Sequence, residues 1–325
     1  MKFNKKIGMA ALAVAAAATL TLSGCSASNG GSSNANKDLK ICVYTHGDGG
    51  TFWSVFQKGA EAAAKTLGVT LDYQGANNDA AKQASTITAG VAGGCKALSV
   101  SVPDAGAIKD PLAAAEAKGI PVVTVNSGAH DYLALGAYTH IGQDESVAGE
   151  AAGTKFNALG VKNLLCVIQE ANNSGLNQRC AGAKKTFKGT VTELNADGAL
   201  ADPTGAQAKI AAALAANKAI DGIFTLNADV ATGSALPAIQ AAGSKITLGT
   251  VDLSKDALAD IKSGTIAFAI DQQQYAQGWM AVALQYLALT NGNELGGGLP
   301  IYTGPGFVTK DNVDNVIKYT AAGTR

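Results

Sequence analysis

His46, Asp48, Thr51, Phe52 and Trp53 set a ring nitrogen, a carboxylate, a hydroxyl and two aromatic rings inside the run Tyr44-Thr-His-Gly-Asp-Gly-Gly-Thr-Phe-Trp53. Further along, carboxylates and amides recur at Asp104, Asn126, Glu170, Asn172, Asn173, Asn227, Asp229, Asp252, Asp271 and Gln272, and a guanidinium sits at Arg179. This set suits recognition of hydroxyl groups. A hydroxyl both donates and accepts, so a buried one wants a carboxylate or amide together with a guanidinium. Aromatic rings cover the apolar C–H faces of such a ligand. Asp and Asn are also ordinary helix N-caps. Capping alone does not require so many multidentate side chains.

The elements that must hold these residues alternate. Ile41 to Val43 is an apolar run, and Phe52, Phe56, Ala60, Ala63 and Leu67 follow at helical spacing, so the glycine-rich turn joins a strand to a helix. Further strands are expected at 69–74, 97–102, 121–125, 164–169, 191–195, 222–226, 246–251 and 266–270. Helices are expected at 79–92, 105–118 (interrupted near Pro111), 145–159, 176–187, 204–216, 228–242, 255–263 and 274–289. Short strands separated by helices of this length predict right-handed βαβ units and parallel sheets. The alternation lapses over 129–138 and restarts, so two α/β arrays are expected, split near residue 140 and facing one another across a cleft. The polar residues above fall at carboxyl ends of strands, where open α/β sheets present their binding crevice.

The N-terminus reads as an export signal, with Lys2, Lys5 and Lys6 ahead of an alanine-rich apolar core over 7–21. Leu22-Ser23-Gly24-Cys25 resembles the lipobox of bacterial lipoproteins. That resemblance implies cleavage before Cys25 and its lipidation, hence a membrane anchor. Residues 26–38 are Ser-, Gly- and Asn-rich and read as a flexible tether. The chain carries 25 basic and 25 acidic residues, so losing the three signal lysines leaves 22 against 25, or −3. With no basic cluster, a nucleic-acid partner is not expected. Cys42, Cys95, Cys166 and Cys180 form no C-x-x-C pair, which argues against a metal site. Four cysteines allow three pairings. In a doubly wound sheet the strands of Cys42 and Cys95 are neighbours, and Cys166–Cys180 could tie a strand to its following helix. The alternative is four small buried thiols; the pairing is the reading adopted.

Several stretches then resemble the ribose-type (type I) periplasmic binding proteins, the substrate-binding lipoproteins of bacterial sugar importers. They are Thr45–Gly59, Ser99–Asp104, Ile120–Gly128, Ile141–Gly149, Leu176–Phe187, Thr225–Asp229, Gly249–Asp252 and Ala269–Gly278. The resemblance implies two Rossmann-like lobes with parallel sheets joined by three hinge crossovers, near 138–141, 270–272 and 303–306. The lobes would hold 39–139 plus 272–303 and 140–271 plus 304–325, after a signal (1–24) and a tether (25–38). It implies ligand contacts from Phe52, Trp53, Asp104, Asn126, Arg179, Asn227, Asp252 and Gln272, to which the turn adds His46 and Asp48. The chain departs from the ribose pattern at His46, at Gly49-Gly50 and at Ala105, where that pattern has a second arginine. These departures point to a related monosaccharide or a sugar alcohol.

The function so implied is a monomeric, extracytoplasmic, lipid-anchored binding protein. It closes on a small polyhydroxy ligand and delivers it to an ABC permease and its ATPase, with no cofactor and no catalysis. A sensor that presents the ligand to a chemoreceptor or kinase would have the same pocket. A nicotinamide enzyme is disfavoured: Gly47-x-Gly49 is followed by Phe52, whose ring would crowd a pyrophosphate. No G-x-S-x-G, H-E-x-x-H or P-loop motif occurs. A repressor effector domain would need a helix-turn-helix where this chain has its signal and tether.

Overall fold

The computed structural model describes residues 36–325. The expected signal, Cys25 and the tether as far as residue 35 lie outside the described residues. The chain runs β1 (Lys40–Thr45), α1 (Gly50–Leu67), β2 (Thr70–Gly75), α2 (Ala80–Ala92), β3 (Ala97–Ser101), α3 (Ala105–Glu116), β4 (Val122–Asn126) and β5 (Thr139–Gly142). It continues through α4 (Glu145–Ala158), β6 (Asn163–Ile168), α5 (Ser174–Thr186), β7 (Thr190–Asn195), α6 (Pro203–Ala216), β8 (Gly222–Thr225) and α7 (Ala228–Val230). Then come α8 (Leu236–Ala242), β9 (Thr247–Val251), α9 (Lys255–Ser263), β10 (Phe268–Asp271), α10 (Gln274–Asn291), β11 (Ile301–Tyr302), β12 (Gly306–Val308) and α11 (Asp314–Ala321).

Two sheets result, ordered β11-β5-β4-β3-β1-β2 and β12-β10-β9-β8-β6-β7. Every pairing is parallel except β10 with β12. The chain passes between the lobes three times: after β5, between β10 and α10, and between β11 and β12. The two-residue period of a strand sorts side chains to opposite faces. Ile41 and Val43 join the core under α1 and α10, whereas Cys42 and Tyr44 join the core under α2 and α3. The second sheet is covered likewise, by α4 and α5 on one face and α6 to α9 and α11 on the other.

Three expectations change. The division at 139/140 falls inside β5, which lies in the first sheet between β11 and β4, so the first crossing begins at Gln143. Hydropathy does not flag β5, because two of its four residues, Thr139 and His140, are polar yet fully buried. Pro111 does not interrupt α3; the buried face of Ile108, Leu112 and Ala115 carries the helix through the missing donor. The helix expected over 228–242 widens into a π turn at Ala231–Ala235, just before Pro237, which has no N–H to return. The sulfurs of Cys42 and Cys95 are bonded in the first lobe (Cα–Cα 5.8 Å), and those of Cys166 and Cys180 in the second (Cα–Cα 6.0 Å).

Candidate functional site

Between the lobes lies a narrow polar cavity of about 30 Å³. The first lobe lines it with His46, Phe52, Asn126 and Ser127. The second supplies Gln169, Glu170, Asn173, Leu176, Arg179, Leu226, Asn227 and Asp252, and Gln272 comes from the second crossing. Most of these stand just past the carboxyl ends of β1, β4, β6, β8, β9 and β10.

Arg179 is set by helix packing. Where α4 crosses α5, Gly149 and Gly182 remove the side chains that would separate them. A Cβ at Gly149 would lie 2.1 Å from the Arg179 carbonyl oxygen, and one at Gly182 would lie 2.3 Å from that of Ser146. The close approach brings Glu145, in the first turn of α4, against the guanidinium. Arg179 Nε donates to Glu145 Oε2 (2.5 Å), Nη2 donates to Oε1 (3.0 Å), and Nη1 donates to the Leu226 carbonyl (2.9 Å). Both side chains are almost wholly buried. Burial alone would lower the Arg179 pKa, but Glu145 holds it above its usual value. Gln143 Nε2 donates to Glu145 as well (2.8 Å), which ties this pair to the first crossing.

Beside it, Asp252 takes a left-handed backbone conformation (φ 72°) that turns its carboxylate inward. The carboxylate accepts from Gln272 Nε2 (2.6 Å) and Asn227 Nδ2 (3.2 Å). Burial pushes its pKa up to about 7 against the opposing charge of Arg179 and the Gln272 hydrogen bond. Asn227 also caps α7, accepting from the amides of Asp229 and Val230. Two buried amide oxygens in the lining, Gln169 Oε1 and Gln272 Oε1, have no hydrogen-bond partner.

Across the cleft, Ser101 Oγ lies 2.7 Å from both the backbone nitrogen and Nδ1 of His46. His46 Nε2 reaches the second lobe, 3.3 Å from Asn173 Nδ2 and 3.5 Å from Glu170 Oε2. Burial would raise the Glu170 pKa, but the hydrogen bond and charge of His46, with Asn173 and Arg179, hold it below its usual value. Asn126 ends β4 in the left-handed region (φ 59°) and accepts from Ser127 Oγ (3.0 Å). The lobes also meet where the Ser174 amide donates to the Pro103 carbonyl (3.0 Å) and where Thr51 meets Asp229.

Of the residues singled out in the sequence, His46, Phe52, Asn126, Arg179, Asn227, Asp252 and Gln272 come together on this cavity. Trp53, Asp48 and Asp104 do not. Trp53 is one residue from Phe52 and so turns about 100° around the helix. Its indole packs on Gly47, Phe52, Phe56 and His46 in the first-lobe core. Asp48 is exposed, its Cβ over Gly75, and lines a neighbouring cleft with Trp53. Asp104 is exposed and caps α3 through the Ala107 amide (3.2 Å). Glu145 escaped the sequence reading because an acid in a helix's first turn is already explained by the helix dipole. Glu170 and Asn173 were visible as strand-end polar residues, but nothing in the sequence separated them from caps.

A two-lobed α/β protein that encloses a polar cavity at the carboxyl ends of both its sheets is a binding protein of the hinge-closing class. Residues 41–294 match the family described as periplasmic binding protein domain. This chain therefore belongs to the periplasmic binding protein family. It is 40% identical to a carbohydrate transporter from Acidothermus cellulolyticus 11B solved in complex with myo-inositol. That match covers 88% of this chain and 99% of the other, with a TM-score of 0.85. It is also 29% identical to a xylitol-binding protein of Mycolicibacterium smegmatis, over 98% of this chain and 90% of that one. A ribose import binding protein of Haemophilus influenzae is 29% identical over 71% of this chain and 79% of its own. These relatives are binding and transport proteins, and the enzyme alternative falls with them.

Proposed function

We propose that this chain captures a neutral polyhydroxy ligand, a cyclic or linear polyol or a related monosaccharide, and delivers it to an ABC permease and its ATPase. The reading is carried by the composition of the enclosed cavity. A guanidinium whose charge is already balanced by Glu145 adjoins two further carboxylates, so the wall has no surplus cation for an anionic ligand. Carboxylates and amide oxygens accept from hydroxyls, Arg179 has donors left over after Glu145 and Leu226, and Phe52 offers a ring to C–H groups. The kinship with the myo-inositol-bound and xylitol-binding relatives supports a polyol over ribose. His46, Phe52, Asn126, Arg179, Asn227, Asp252 and Gln272 are the proposed contacts. Lipidation of Cys25 would hold the protein at the outer face of the cell membrane, with residues 39–142 and 272–303 forming one lobe and 143–271 with the C-terminal tail the other.

A thermal-shift screen tests this, with myo-inositol, xylitol and other linear polyols, ribose, arabinose and the anionic sugar glucuronate. A ligand that binds only the folded state stabilises it by about 2.7 kcal/mol at a hundred times its dissociation constant. The expected outcome is a shift with polyols and none with glucuronate. Stabilisation by glucuronate alone would overturn the reading.

A further inference from the structure

We infer that Asp229 is a positioning residue for ligand capture, because it caps helix α1 from the opposite lobe. This rests on the proposed binding function and assigns to the closed state a contact that touches no ligand. Among the described residues seven helices begin with a cap of their own: Asp79, Asp104, Asp144, Asn173, Asp202, Asn227 and Ser254 each accept from an amide in the following turn. α1 is as long as any helix among the described residues and has none. Its N-cap is Gly49, which has no side chain to offer, and its first turn holds no acid. A helix start leaves amide donors unpaired and a partial positive charge.

The missing acceptor comes from the second lobe. Asp229 Oδ2 accepts from the Thr51 amide (2.8 Å), and Oδ1 accepts from Thr51 Oγ1 (2.9 Å). Gly50 makes room for it. Its φ of +79° is rarely adopted by L residues, and a Cβ there would lie 3.0 Å from Asp229 Oδ2. When the lobes part, both ends of this contact return to water, so it stabilises only the closed form.

The contact is also joined to the cavity on both sides. Phe52, which follows Thr51, lines the cavity from the first lobe. Asn227, two residues before Asp229, lines it from the second, holding the Asp229 amide (2.8 Å) and donating to Asp252 (3.2 Å). A ligand that orders Phe52 and Asn227 therefore brings the cap into register, and the cap in turn lowers the free energy of the closed, ligand-retaining state.

The test compares Asp229→Ala and Thr51→Val with wild type, using myo-inositol and xylitol as probes. Expected is a loss of affinity of about 10- to 100-fold for Asp229→Ala, which removes both acceptors, and less for Thr51→Val, read mainly as faster dissociation. The preference between the two probes should not change, nor should the melting temperature without ligand. The double variant should bind no worse than Asp229→Ala alone. Affinity within twofold of wild type in both variants would overturn the inference. So would a changed preference between probes, which marks direct ligand contact, or an equal loss of stability without ligand, which marks an ordinary structural role. Wild type binding neither probe would instead overturn the proposed ligand class. In that case the same variants are titrated with whichever compound of the thermal-shift screen does bind, and affinity within twofold of wild type in both sinks the cap.

Discussion

β4-β3-β1-β2 in the first sheet and β9-β8-β6-β7 in the second are the same arrangement, extended by β5 and β10 respectively, but the walls they present are unlike. The first lobe offers a ring nitrogen, an aromatic ring, an amide and a hydroxyl. Every charged carboxylate and the one guanidinium on the cavity come from the second. The cause lies in the helix pairs flanking each sheet. Both pairs cross on facing glycines: Gly59 and Gly278 where α1 meets α10, Gly149 and Gly182 where α4 meets α5. In the first lobe that crossing surrounds Phe52, Trp53 and Phe56 with apolar neighbours. In the second it seats Glu145 against Arg179. One topology thus yields an uncharged, ring-bearing wall and a charged wall already hydrogen-bonded within itself. A preassembled wall loses less freedom when a ligand arrives.

The largest expected effect tests the charged wall. Arg179→Met leaves Glu145 buried without its counter-ion, which should cost about 3–5 kcal/mol of stability, and about 2–5 kcal/mol of ligand affinity. Phe52→Leu keeps an apolar contact and should cost binding only about 0.5–1.5 kcal/mol. Urea melts and calorimetric titration of both variants measure the contrast. Equal losses from the two would mean that charge does not distinguish the lobes.

Each lobe also carries one cross-link, and the loops they close differ, with separations of 53 residues for Cys42–Cys95 and 14 for Cys166–Cys180. Each should contribute about 2–4 kcal/mol, the longer loop about 1 kcal/mol more on the chain-entropy account. Melting of the two paired Cys→Ala variants reads the difference. Thiol titration of denatured, unreduced protein lacking Cys25 should find no free thiol; four would remove the comparison altogether.

pH separates the lobes with opposite signs. In the second lobe, burial raises the Asp252 pKa from 3.8 to about 7. Between those values the folded protein keeps a proton that the unfolded chain has released, so this group's contribution falls as pH rises. In the first lobe, burial lowers the His140 pKa from 6.5 to about 3, with Asp144 opposing. There the unfolded chain holds the extra proton, so stability falls as pH drops below 6.5. Each slope is about 1.4 kcal/mol per pH unit per proton. Asp252→Asn should flatten the loss on the alkaline side of this window, and His140→Asn the loss on its acid side. Ligand-free melts from pH 4 to 7 that respond to neither substitution would put both groups in solvent.

The tandem βα arrays were legible because strand and helix periods and turn residues recur along the chain, and because most of the site sits at strand ends. β5, β11, β12 and α11 were not legible as elements. β11 and β12 are two and three residues long and exist only by pairing with strands distant in sequence. Glu145 is a matter of tertiary approach: its partner is 34 residues away and is reached only because two helices touch through glycines. Phe52 and Trp53 read alike, since sequence gives both an aromatic ring. Only the packed helix turns one to the cavity and the other to the core.

Asp104 gives the smallest expected effect. The family resemblance made it a ligand contact, one more carboxylate on the first-lobe wall, which would erase the asymmetry between the walls. The structure gives it a capping hydrogen bond to Ala107 and an exposed position beside the cleft. Asp104→Ala should therefore cost about 1 kcal/mol of stability as a lost N-cap. The dissociation constant for the best polyol should stay within about twofold, because removing an exposed carboxylate leaves no buried partner unpaired. Asp104→Asn should be close to neutral in both, since asparagine caps as well as aspartate. A tenfold loss of affinity in both variants would return the carboxylate to the ligand. It would also show that closure on the true ligand draws α3 further into the cleft.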